Sequence, residues 1–169
     1  MTNKISLLFI LVLTSFYSFS QTTEEIKAVD LINTYLKSET IDPLSLTLFN
    51  SDLTIDQDKL KLNTVIQGFH PSEKNTLALE IQHNIVFDKN DIKDYVIEIE
   101  ETENGLYNIF TKVNLKQRMP LKYYSKMFLD DTIEEEVIEV SKVELSNNTP
   151  IEKEMMNDYK KALELLFNS

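Results

Sequence analysis

The chain has 169 residues, 17 Lys+Arg against 28 Asp+Glu, a net charge of −11, two glycines and no cysteine or tryptophan. That charge repels nucleic acid and anionic membrane surfaces, and the missing cysteine excludes disulfides and a lipid-modified cysteine. Gly68 and Gly105 stand alone, so there is no clustered-glycine loop to cradle phosphate or a dinucleotide.

Residues 1–20 have the architecture of a secretory signal peptide. Lys4 gives a basic start, Ile5 to Phe19 is nearly all apolar, and Ser18 and Ser20 place small residues where a signal peptidase reads. The apolar run is shorter than the ~20 residues a membrane-spanning helix needs, and Gln21 to Glu25 is polar and acidic. Ser-Phe-Ser before Gln resembles the cleavage region of exported bacterial proteins. The expectation is a periplasmic or secreted protein of residues 21–169, one domain, with no membrane anchor after cleavage. A retained anchor is the alternative. With 42% apolar residues and no disulfide, burial must hold the fold.

Thr22 to Ser38 is predicted helical, with a Thr22/Glu25 capping box and an apolar face of Ala28, Leu31, Ile32, Tyr35 and Leu36. Pro43 keeps the helix from continuing. Leu44 to Phe49 reads as a short strand, and Leu53 and Ile55 mark another extended piece. Lys59 to Ile66 alternates, with Leu60, Leu62, Thr64 and Ile66 on one side. Residues 68–72 read as a turn region.

Thr76 to Phe87 gives the clearest alternation. Leu77, Leu79, Ile81, His83, Ile85 and Phe87 share a face opposite Ala78, Glu80, Gln82, Asn84 and Val86. After a turn at residues 88–91, Asp94 to Glu101 and Leu106 to Lys116 form a hairpin. A three-residue loop, Glu103-Asn104-Gly105, with Gly105 left-handed, pairs Ile99 with Ile109 and Tyr95 with Val113. The two-residue alternative would set Ile97 against Lys112, so the first register is preferred. Leu121 to Leu129 is a further strand. Glu135 to Leu145 is read as a strand with a bulge near Ser141-Lys142, because β-branched residues outweigh the helix alternative. Pro150 to Phe167 is predicted helical, with Thr149 as N-cap, Glu152 completing a capping box, and Ile151, Met155, Tyr159, Ala162, Leu163 and Leu166 buried.

The fold class that follows is α+β, an antiparallel meander of about five to seven strands packed against an N- and a C-terminal helix. A helix on a curved meander resembles cystatin-like folds in architecture only and implies no function.

The chemistry is sparse. His83 lies on an apolar strand face and His70 in a turn, too few for a zinc site. Asp88-Lys89-Asn90-Asp91-Ile92-Lys93 lacks the oxygen ligand and glycine of a calcium loop. No serine sits in a Gly-x-Ser-x-Gly context. No metal and no cofactor is expected. Charge is segregated: residues 105–129 contain no acid and five cations, Lys112, Lys116, Arg118, Lys122 and Lys126, whereas residues 130–139 contain six acids. Cross-strand pairing on solvent faces accounts for much of this. A basic patch for an anionic ligand is the functional reading, with Lys112, Arg118, Lys122 and Tyr124 as candidate ligand-binding residues. The expected function is an exported, non-enzymatic binding protein acting on a partner protein or small ligand. The alternatives are a small hydrolase using a carboxylate pair or His83, and a structural component of a cell-envelope assembly.

Overall fold

The computed structural model describes residues 23–37, 46–147 and 149–168. The signal-like residues 1–20, Thr22 of the expected capping box and the Pro43 break lie outside them. The architecture is α+β: helix α1 (residues 23–36), six antiparallel strands in one curled sheet, and helix α2 (Lys153–Phe167). The strands are β1 (Thr47–Asp56), β2 (Lys59–His70), β3 (Glu73–Asp88), β4 (Ile92–Glu101), β5 (Tyr107–Met127) and β6 (Ile133–Ser146). No described helix is long and apolar enough to cross a membrane.

The sheet is a meander with a divided middle strand. β3 and β4 run end to end along one edge of β5, joined by a 3-10 turn, Lys89–Asp91, that Asp88 caps. β6 runs along the other edge of β5, while β2 and then β1 extend the sheet beyond β3. The hairpin register is the one the apolar pattern favours: Ile99 faces Ile109, Tyr95 faces Val113, and Gly105 has φ 73°. A slip of one residue would turn every isoleucine of β4 to the other face.

Several expected boundaries move. The pieces at Leu44–Phe49 and Leu53–Ile55 belong to one strand, β1, as far as described. Gly68, Phe69 and His70 remain in β2 with shifts in register, so the turn narrows to Pro71-Ser72. The hairpin's return arm and the Leu121 strand are both β5. A proline normally interrupts a strand because it has no N–H to donate. Pro120 is tolerated because the β3 ladder ends at Leu121 and the β4 ladder begins at Leu115, leaving that edge unpaired between them. Here residues 115–118 bulge opposite Ser141 alone, since Asn114 pairs with Lys142 and Met119 with Val140. The extra residues sit in β5, not in β6 where the bulge was expected.

The inner face carries the core: Leu53, Leu60, Leu62, Ile85, Phe87, Ile109, Val113, Val143 and Leu145 are buried beneath the two helices. Each such side chain contributes about 1.5–3 kcal/mol by leaving water. α1 buries Ala28, Val29, Ile32 and Leu36. Asn33 docks it on the sheet edge: its side-chain amide donates to the Leu53 carbonyl (2.7 Å) and its carbonyl accepts from the Leu53 N–H (2.8 Å), as a neighbouring strand would. Glu25 forms a partly buried ion pair with Lys89 of the 3-10 turn.

α2 begins later than expected. Ile151 is drawn into the sheet, where its N–H donates to Tyr107 O (3.0 Å) and its carbonyl accepts from Tyr107 N–H (2.8 Å). The helix therefore starts after Glu152, whose side chain makes no cap bond. This turns the stripe, so Met156 and Phe167 are buried and Met155 is exposed. Tyr159 meets Tyr35 of α1 edge-on at 5.5 Å.

Candidate functional site

The outer face of the sheet forms an open trough of about 800 Å³ across β2, β3, β5 and β6. Strand register assembles its floor. One row runs Asn63, Asn84, Lys122, Val137, and the next runs Val65, Gln82, Tyr124, Glu135. Lys61 stands beside Val86 at the β2 side. These residues face outward because their neighbours Leu60, Leu62, His83, Ile85, Leu121 and Tyr123 face inward, the period-two consequence of a pleated strand.

The groups here are chemically uncommitted. Lys61 and Lys122 make no ion pair among the described residues. The side-chain amides of Asn63 and Asn84 have no hydrogen-bond partner among them. Gln82 donates to Glu80 Oε1 (2.8 Å), and Gln67 donates to the other oxygen of the same carboxylate (3.0 Å), so both Glu80 oxygens have a donor beside the trough. Cations and amide donors thus line the β2–β5 side, while Glu135, Glu136 and Val137 line the β6 side.

Lys122 and Tyr124, both expected in a site from sequence, are brought together here. Lys112 lies elsewhere, at a smaller cavity of about 330 Å³ that Phe49, Phe110 and Thr111 also line. Its ammonium donates to Glu98 Oε2 at 2.7 Å, diagonally across the β4–β5 ladder, and this bond holds its pKa above the ordinary lysine value. Arg118 is exposed in the β5 bulge, away from the trough. Sequence reading did not connect Lys61, Asn63, Gln82 and Asn84 to the site. Their outward orientation was readable from alternation; their distance from Lys122 depended on strand pairing.

His83 lies between Thr64 and Tyr123 on the inner face, its ring 5.4 Å from that of Tyr123. Desolvation lowers its pKa. Among the described residues no acid or nucleophile is hydrogen-bonded to it, and no three His, Asp or Glu side chains converge as metal ligands.

Comparison with known protein families, curated proteins and solved structures finds no match to this chain.

Proposed function

We propose that the chain is an exported, non-enzymatic binding protein, and that the outer-face trough holds a small ligand or a segment of a partner protein through an anionic group. The observation that supports this is the pair of uncommitted cations, Lys61 and Lys122, beside the uncommitted amides of Asn63 and Asn84. A carboxylate or phosphate placed among them would accept charge-assisted hydrogen bonds, stronger than those between neutral groups. The Tyr124 ring would offer a flat apolar contact, and Glu135 would accept from a donor at the far end of the ligand. Lys112 is less available, because Glu98 already satisfies it. Export rests on the leader-like residues 1–20.

The test is native mass spectrometry of the protein recovered gently from the envelope of its own host. The expected result is a co-purifying small mass that is lost on denaturation. Lys122→Glu combined with Lys61→Glu should reduce its occupancy by roughly tenfold or more, the loss of at least one charge-assisted bond. Arg118→Glu should leave it intact. Equal occupancy in the wild type and the double variant would remove the trough from consideration. A defined larger complex would favour the cell-envelope assembly reading.

A further inference from the structure

The outer half of β6 is an open strand edge. β5 lies along one side of residues 133–140, and among the described residues no strand lies along the other. A strand in that position presents a row of unpaired N–H and C=O groups. Both faces are open as well: on the outer face Ile133 is 54% exposed and Val137 64%, and on the inner face Ile138 is 42% exposed.

Natural edges are usually blunted by proline, lysine, a bulge or shortness. Ile133-Glu134-Glu135-Glu136-Val137-Ile138-Glu139-Val140 has no proline, lysine or glycine, and its ladder to β5 is unbroken. Its only protection is charge of one sign. Glu134, Glu135, Glu136 and Glu139 make no ion pair among the described residues. That protection is selective. A second copy of this chain would bring its own glutamates to the same ribbon, and like charges across a strand pair are destabilising. A cationic strand would find its charges complemented.

We propose that this edge adds an extended segment of a partner protein in which Lys or Arg alternates with apolar residues. Backbone hydrogen bonds to β6 would provide affinity, the glutamates would set the sign of the partner, and the apolar row that an alternating segment carries on one face would pack on Val137 or on Ile138, according to its register. The edge shares Glu135, Glu136 and Val137 with the trough, and what separates the two assignments is Glu134, Glu139 and the open backbone of residues 133–140, which only the edge uses.

The test uses the isotope-labelled protein and the synthetic peptide Lys-Val-Lys-Val-Lys-Val-Lys, with amide hydrogen exchange read residue by residue. The peptide should slow exchange of alternate amides within residues 133–140 by about tenfold or more, while Glu-Val-Glu-Val-Glu-Val-Glu leaves them unchanged. Glu134→Lys with Glu139→Lys, both exposed and outside the trough, should weaken peptide binding by about tenfold with an unaltered circular dichroism spectrum. Lys61→Glu with Lys122→Glu should not weaken it. Three results would overturn the proposal: no added protection with the basic peptide at millimolar concentration, equal protection by the acidic peptide, or protection that rises with protein concentration alone, which would mean a second copy occupies the edge.

Discussion

The two halves of β6 share a partner strand, yet they differ in environment. Val143 and Leu145 are 5% and 4% exposed, whereas Val137 and Ile138 lie in solvent. Backbone pairing with β5 is continuous on both sides of the bulge opposite Ser141, so hydrogen bonding does not separate them. The difference lies in the next layer. Residues 143–147 close over the core that α1 and α2 complete, and the Asn147 side chain fastens them: its carbonyl accepts from Ile109 N–H (2.5 Å) and its amide donates to Tyr107 O (3.1 Å) and Thr149 O (2.8 Å). Nothing described covers residues 133–140. A strand's pairing is set by its neighbours in the sheet, but its energetic role is set by what lies above it.

That contrast can be broken by truncation. Leu145→Ala should cost about 3 kcal/mol, the transfer term plus the cavity left in the core. Val137→Ala on the same strand should stay within about 0.5 kcal/mol. Urea unfolding of the two variants measures both, and equal losses would mean that the outer half is buried in solution. The attachment of α1 comes next in size. Asn33→Ala leaves the Leu53 N–H and carbonyl without their partner in a partly buried edge, so about 2 kcal/mol should be lost. Hydrogen exchange at Leu53 should rise with it. A loss below about 0.5 kcal/mol would show that water replaces the amide at no cost.

Sequence reading succeeded where local pattern and local geometry coincide. The β4–β5 hairpin is the clearest instance, because Ile97 and Ile99 alternate with acids and Gly105 supplies the left-handed residue that a three-residue loop needs. The inner face of β2, Leu60, Leu62 and Thr64, was equally legible. It was less successful where distant contacts override a local signal. Thr149-Pro150 and Glu152 spell a helix start, but pairing of Ile151 with Tyr107 delays it. Pro120 spells a strand end, but the gap between β3 and β4 removes the penalty. The trough shows the same limit. Lys122 and Tyr124 were found through local charge and aromatic composition, whereas Lys61, Asn63 and Asn84 join them only through the register of three strands far apart in the chain.

The smallest expected effect tests the boundary between the covered and open regions. His83 sits on the inner face where the core gives way to an open hollow of about 480 Å³. Desolvation lowers its pKa in the folded protein, so between the folded and unfolded values the unfolded chain binds more protons. Its contribution is therefore fully present above the unfolded value of about 6.5 and declines as pH falls below it. In urea titrations across this range, wild-type stability should fall with acidity more steeply than that of His83→Gln, with His70→Gln as the control for the other histidine. The sign matters, since a histidine stabilised by a buried acid would gain stability over the same interval. Identical slopes in the wild type and His83→Gln would mean that water reaches the imidazole as freely as in the unfolded chain, moving the edge of the dry core back from His83 toward Ile85 and Phe87.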